Sequence, residues 1–175
     1  MKKLLLTLLA LPLVLTSCVE DLLDVTFDYP ISAGFTMSDE VEANTLTMIE
    51  SDVVEIDVVE ELSDRNLGGI SAVKLKSLEV KLGADATIDW SILESLELKM
   101  VLDGETYTMA SFGPNSVIDG DLIKLDVSAD EIRLEEFLER ETVQVRLFIE
   151  TNESITTEVP MEATAVVSIT ASPIE

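Results

Sequence analysis

Apolar and polar residues alternate with a period of two along most of this chain. Such alternation is typical of β-strands that bury one face and expose the other. Because no long helices are interleaved with these segments, the pattern predicts an all-β fold, an antiparallel sandwich of seven to nine strands with one short helix over residues 25–175. The alternating segments lie near residues 25–29, 54–58, 73–82, 96–109, 123–127, 143–149 and 159–169. The residues predicted to face the core include Val80, Leu98, Met100, Leu125, Val145, Leu147 and Val167.

Three local signals refine this strand assignment. Pro30 interrupts the alternation within residues 25–37, and because proline cannot donate a ladder hydrogen bond, that strand is predicted to lie at an edge or to be bulged. The apolar phase switches near Ser77 in the long strand 70–82, which indicates a β-bulge. Asp103-Gly104 separates two alternating segments and predicts a type I′ hairpin turn.

Two shorter strands are predicted before the long one. Residues 45–48 form one candidate, and residues 52–59 form the other. A helix over 52–59 is the alternative, but five β-branched residues in eight favour a strand. Residues 60–69 are predicted to be a polar connection that could contain one helical turn.

Helical signals are confined to two places. Asp89 is predicted to cap a short turn at Trp90, which would cover one end of the core. Residues 128–131 match a capping box, and apolar residues at helical spacing follow them. We therefore expect the one helix of the domain to end at Arg140.

The first eighteen residues have the layout of an exported protein. Two lysines precede an apolar stretch from Leu4 to Leu15, and small residues follow it. This order is that of a secretory signal peptide over residues 1–17, and the stretch is shorter than the roughly 20 residues of a membrane-spanning helix. Residues 15–18, Leu-Thr-Ser-Cys, also resemble the lipobox of bacterial lipoproteins, which predicts lipidation of Cys18 and a tether over residues 18–24.

Composition limits the class of partner. Without residues 1–17 the chain has 158 of its 175 residues, nine Lys or Arg and 35 Asp or Glu, a net charge of about −26. Such a charge opposes binding to nucleic acid and to anionic lipid surfaces. The chain is nevertheless 47% hydrophobic, unlike a disordered acidic chain, so most of the charge is predicted to lie on solvated strand faces.

Few residues offer catalytic chemistry. The sequence has no histidine, and with Cys18 as its one cysteine it has neither an intramolecular disulfide nor a Ser-His-Asp arrangement. Pairs of carboxylates remain candidates for acid–base work, as in glycoside hydrolysis, although none stands out. We expect no cofactor.

Three weaker candidates for binding or modification sites each have an ordinary structural explanation as well. A calcium site could use Asp119 and Asp121 with Asp126, or Asp103 and Glu105, but ordinary turn chemistry is the alternative. Trp90, Tyr29 and Tyr107 could stack on a sugar or could pack in the core. The sequence Asn152-Glu-Ser154 matches a glycosylation sequon and predicts an exposed loop.

The whole layout resembles the small, largely uncharacterised immunoglobulin-like lipoproteins of Bacteroidota. The resemblance is carried by the lipobox, the acidic tether, the segments VKLKSLEVKLG and ESLELKMVLDG, and a final Val- and Thr-rich strand. It implies an immunoglobulin-like sandwich attached to the outer membrane by acyl chains such as palmitate. Glu20 and Asp21 resemble the acidic export signal of surface lipoproteins in that group, although Val19 departs from it. An ordinary solvated tether facing the periplasm is the alternative.

Three functional hypotheses follow. The first is a noncatalytic envelope lipoprotein that acts in adhesion, ligand capture or surface assembly, with the membrane, an envelope protein or a glycan as partner and no nucleic acid. The second is a carboxylate-based hydrolase. The third is a fimbrial-type subunit that assembles by strand exchange.

Overall fold

The computed structural model describes residues 24–128 and 134–174. Those residues form two antiparallel sheets, which confirms the all-β sandwich prediction. They contain eleven strands and two α-helices, more than the seven to nine strands and one helix that were predicted. The strands are β1 Val25–Met37, β2 Thr47–Glu50, β3 Val54–Glu55, β4 Leu67–Leu82, β5 Leu93–Leu102, β6 Glu105–Ser111, β7 Val117–Asp119, β8 Leu122–Lys124, β9 Asp126–Val127, β10 Thr142–Thr151 and β11 Val159–Pro173. The helices are α1 Val58–Asp64 and α2 Leu134–Leu138, and Trp90–Ile92 form a 3₁₀ turn.

The chain passes repeatedly between the two sheets. The first sheet has the order β1-β11-β4-β8-β7, and the second has the order β2-β10-β5-β6-β9, with β3 also paired to β10. The core lies between them, where the inward residues of both sheets meet. All seven residues predicted to face inward are buried: Val80, Leu98, Met100, Leu125, Val145, Leu147 and Val167.

Strand β1 lies at the edge of the first sheet, as Pro30 predicts. The strand is continuous, with Pro30 opposite Val166 of β11. The carbonyl of Gly34 accepts a hydrogen bond from the N–H of Asp52, outside the β1–β11 ladder, at 3.1 Å. Because ladder-facing and outward-facing residues alternate along an antiparallel strand, Pro30 faces outward as Gly34 does. The missing N–H of Pro30 therefore costs no ladder hydrogen bond.

The predicted bulge and hairpin are both confirmed. In β4, Ser77 lies opposite Val166 and Leu75 opposite Val167, so Lys76 is the extra residue that reverses the facing of the strand. In the β5–β6 hairpin, Asp103 has φ 53° and Gly104 has φ 85°. Positive φ at both central positions is what a type I′ turn requires.

The prediction of a strand over residues 52–59 is wrong beyond Glu55. Strand β3 spans two residues, and helix α1 begins at Val58. Val54, Ile56 and Val58 are all buried, as the alternation predicted, but Val58 and Leu62 bury one face of the helix at an i, i+4 spacing. β-Branched composition is a weak preference that this packing overrides. The strand predicted at 45–48 begins at Thr47 instead.

The strand predicted over residues 123–127 is divided between the sheets. Strand β8 pairs with β4 in the first sheet, and β9 pairs with β6 in the second. Leu125 is buried at the crossing, and its N–H donates to the carbonyl of Leu78 at 2.9 Å. Strand β7 was not predicted, because Val117 and Ile118 are exposed and do not alternate with buried residues.

The two helices cover one end of the sandwich. Leu134, Phe137 and Leu138 of α2 are buried there, together with the apolar face of α1. The predicted capping box lies mostly in residues 129–133, outside the described residues, and α2 ends at Leu138 rather than Arg140. At the opposite end Asp89 caps the 3₁₀ turn, and Trp90 is buried, both as predicted.

Candidate functional site

A cleft of about 800 Å³ opens at the helical end of the sandwich. Helix α1 with the preceding β3 forms one wall, and residues 138–142, which link α2 to β10, form the other. Six carboxylate side chains line it, and Arg140 is the cation that lines it. The carboxylates are those of Glu55, Asp57, Glu60, Asp64, Glu139 and Glu141.

Backbone hydrogen bonds fix the walls of this cleft. The N–H of Ile56 donates to the carbonyl of Glu141 at 3.0 Å, which joins the two walls at their base. The N–H of Asp57 donates to the Tyr29 hydroxyl at 3.0 Å, which ties the start of α1 to the edge of the first sheet. The cleft is therefore part of the folded framework rather than a gap between loose loops.

The cations nearest the cleft are engaged by other carboxylates. Arg140 donates to Oδ1 of Asp103 in the hairpin turn at 2.7 Å. Arg65 donates to Glu61 at 2.7 Å, and its guanidinium lies 4.5 Å from the centre of the Phe27 ring. The six carboxylates of the cleft consequently keep a strongly negative potential, which repels anions and attracts cations.

Sequence reasoning missed this cleft because it assigned residues 52–59 to a strand. In a strand, Asp57 and Glu60 would point to opposite faces, whereas one helical turn brings such residues to the same side. The signal that could have found the cleft is the spacing of Asp57, Glu60 and Asp64 at three and four residues.

The predicted calcium ligands are not brought together. Asp121 pairs with Lys81 at 3.5 Å near the β7–β8 turn, while Asp126 in the second sheet accepts from the N–H of Asn115 at 3.1 Å. Asp103 is paired to Arg140, and Glu105 accepts from the Tyr107 hydroxyl at 2.8 Å. Across residues 24–128 and 134–174, no three acidic side chains are close enough to hold a metal ion. Turn chemistry and pairing explain these acids.

The three aromatic residues proposed as a sugar platform are also separated. Trp90 is 3% exposed, so its faces are covered by the core. Tyr29 lies on β1 in the first sheet, and Tyr107 lies on β6 in the second. The loop that contains Asn152 and Ser154 is exposed, as predicted.

The predicted lipidation site Cys18 and the acidic residues Glu20 and Asp21 lie outside the described residues. Asp24 is the first residue that the structure describes, and its carboxylate is held in place. It accepts hydrogen bonds from the hydroxyls of Ser172 at 2.7 Å and Ser71 at 3.2 Å. The chain therefore enters the domain at the helical end, beside the last residues of β11.

Comparison with protein-family models, with curated proteins and with solved structures gave no match. Among the described residues, neither helix has the length or the apolar composition to cross a membrane.

Proposed function

We propose that this protein is a noncatalytic lipoprotein of the outer membrane, anchored through acyl chains on Cys18 and facing the cell surface. Its sandwich acts there in adhesion, ligand capture or the assembly of surface proteins. The observation that carries the proposal is the sequence at residues 15–18, a lipobox that follows a signal-peptide layout. Two or more acyl chains on one cysteine give stable attachment.

The hydrogen bonds of Asp24 support this arrangement. Five residues, 19–23, separate Cys18 from Asp24, and the six residue steps between them reach at most about 20 Å in an extended chain. An anchored domain would therefore stand on its helical end, close to the membrane. The carboxylates of the cleft lie at that end and are repelled by anionic headgroups, so we expect the tether to be extended.

The noncatalytic part of the proposal rests on composition. A chain without histidine lacks the commonest general base near neutral pH, and its single cysteine is consumed by lipidation under this proposal. Assembly by strand exchange has less support, because hydrogen bonds link the two sheets at both of their sides. On one side, the N–H of Ser51 donates to the carbonyl of Val145 in β10, and the N–H of Asp52 donates to the carbonyl of Gly34 in β1. On the other side, the chain crosses between the sheets at Leu125.

The finer assignment to the immunoglobulin-like sandwiches belongs to the same proposal. What supports it is a pair of antiparallel sheets of five and six strands connected by crossings between them. The bulge and the hairpin turn add the local irregularities that natural sandwiches use at edges and corners.

The test is to express the full chain in a Bacteroidota host that is fed an alkyne analogue of palmitate. We expect the wild-type chain to carry the label and to fractionate with the outer membrane. Cys18→Ala should abolish the label and release or mislocalise the protein. The variant Glu20→Ala with Asp21→Ala is the matched control, because it alters the same segment and should keep the label. An unlabelled wild-type chain would disprove the anchor.

A further inference from the structure

The negative charge of the domain is concentrated at its two ends. At the helical end, residues 55–65, 103–105 and 135–141 contain eleven Asp or Glu and two Arg. At the opposite end, the loops 38–46, 83–92 and 152–158 contain seven Asp or Glu and no Lys or Arg. Two copies that meet end to end would bring like charges together, which costs free energy.

The outer faces of the sheets carry much less net charge than the ends. Across the described part of the first sheet, Lys74, Lys76, Lys81 and Lys124 oppose five carboxylates, those of Asp28, Glu79, Asp119, Asp121 and Glu162. The outer face of the second sheet carries Lys99 and Arg146 with Glu50, Glu97, Asp126 and Glu150, a net charge of about −2 against about −9 and −7 at the two ends. Copies of this chain can therefore approach side by side with far less repulsion than end to end.

The outer face of the second sheet also exposes apolar groups. Met48 is 48% exposed on β2, and Leu46 just before it is 60% exposed. Met48 lies opposite Phe148 of β10, whose ring is covered on one side by the Nζ of Lys99 at 4.6 Å. Beside them Arg146 donates twice to Glu50, at 2.9 and 3.1 Å. Methionine, aromatic residues and arginine are the residue types enriched in protein interfaces.

The outer face of the first sheet lacks such groups along its centre. The outward residues of β11 there are Thr164, Val166, Ser168 and Thr170, which are small. Its hydroxyls bond to one another, as between Thr26 and Thr170 at 3.0 Å and between Ser32 and Thr164 at 3.1 Å. The exposed apolar side chains of this sheet, Val117 and Ile118, lie on its edge strand β7, away from the centre of the face.

We propose that the outer face of the second sheet, around Met48 and Phe148, binds the same face of a second copy of this chain. The association is isologous, so each copy presents Arg146 and Lys99 to the carboxylates of the other. Strands β2, β10, β5 and β6 have 4, 10, 10 and 7 residues, and at about 3.3 Å per residue and about 4.8 Å between strands they give a flat area of about 500 Å² for each copy. Two such areas, about 1,000 Å², fall in the range of weak and transient interfaces, so the dimer is weak.

The position of this face suits copies that share a membrane. Strands β5 and β10 run between the helical end and the opposite end, so their outer face is lateral to the entry point at Asp24. Under the proposed anchoring, two copies meet with both tethers on the same side. The dimer itself does not depend on the anchor and is measured separately from it.

The test is sedimentation equilibrium of the protein purified from its host, in a density-matched detergent. We expect a monomer–dimer equilibrium that tightens when the ionic strength rises from about 0.01 M to about 0.1 M, because the Debye length falls from about 30 Å to about 10 Å and the repulsion between the ends is screened. Met48→Glu should weaken the dimer about tenfold. Ser168→Glu, which adds the same charge to the outer face of the first sheet, should change its Kd less than about twofold.

Three results would overturn the proposal. They are a wild-type chain that stays monomeric at both salt concentrations, a dimer that Ser168→Glu dissociates and Met48→Glu does not, and a dimer insensitive to both variants. Circular dichroism melts of each variant show whether it keeps its fold. Leu46→Glu is a second probe of the same face if Met48→Glu melts early. A chain that dimerises but carries no acyl label would refute the anchor and leave the dimer standing.

Discussion

Trp90 donates its indole N–H to the carbonyl of Asp121 at 2.8 Å, and the N–H of Leu82 donates to the same oxygen at 2.9 Å. One carbonyl thus holds the 3₁₀ turn, the end of β4 and the β7–β8 turn together. A carbonyl oxygen has two lone pairs, so both of its acceptor sites are used. This junction closes the end of the sandwich opposite the helices.

We expect Trp90→Phe to lower the free energy of unfolding by about 0.5–1.5 kcal/mol through the lost hydrogen bond. Trp90→Ala should cost about 3–5 kcal/mol, because it also leaves a cavity. Urea denaturation followed by circular dichroism measures both. Equal losses for the two variants would show that ring packing contributes little.

Gly104→Val should destabilise the hairpin by about 1 kcal/mol or more, because valine is strained at φ 85°. A Cβ at Gly104 would meet nothing within 4 Å, so the loss comes from the backbone alone. Gly69→Val is the matched control, since a Cβ there also meets nothing within 4 Å and its φ lies outside the left-handed region. Thermal melts compare the two. Similar changes in Tm would contradict the turn assignment.

Asp89 gives the stability of the 3₁₀ turn a defined pH dependence. Hydrogen bonds from Ser91, through its side chain and then its backbone N–H, hold the pKa of Asp89 below the ordinary aspartate value. The folded state therefore binds the proton less readily than the unfolded state, and the stabilisation is present above the unfolded pKa and lost as the pH falls through the folded pKa. Asp89→Ala should lower Tm at pH 7, and the difference from wild type should shrink in the acid range. Asp85→Ala, in the same loop, is the control, because it removes the same charge and leaves Asp89 in place.

Glu20→Ala with Asp21→Ala should leave the protein anchored but facing the periplasm, if the acidic pair acts as the surface-export signal. Protease added to intact cells would digest the wild-type domain and spare that variant. Full protection of the wild-type chain would refute the surface orientation while leaving lipidation intact.

Sequence patterns predicted the elements whose residues bury one regular face. The bulge beside Ser77 and the turn at Asp103 were found because a phase change and an Asp-Gly pair are local signals. Helix α1 was missed because Val58 fits a strand and a helix equally well, and tertiary packing decides between them. The division of the predicted strand 123–127 into β8 and β9 was missed because an alternating pattern does not show which sheet each half joins.

The candidate cleft was beyond sequence reasoning for a related reason. Its two walls, around Asp57 and Glu141, are far apart in the chain and meet through the hydrogen bond between Ile56 and Glu141. With 35 acidic residues, no pair of carboxylates is marked by composition alone. Cys18, Glu20 and Asp21 stay predictions from sequence.

The pairing of β1 with β11 has a consequence for the order of folding. Val25 pairs with Ala171 and Met37 with Val159, so β1 cannot pair until β11, more than 100 residues later in the chain, has been synthesised. Contacts this distant in sequence have a high entropic cost of loop closure, and this cost slows the formation of the sheet. The first sheet therefore cannot be completed until β11 has been synthesised, and under the proposed function this delay would help to keep the chain open for export.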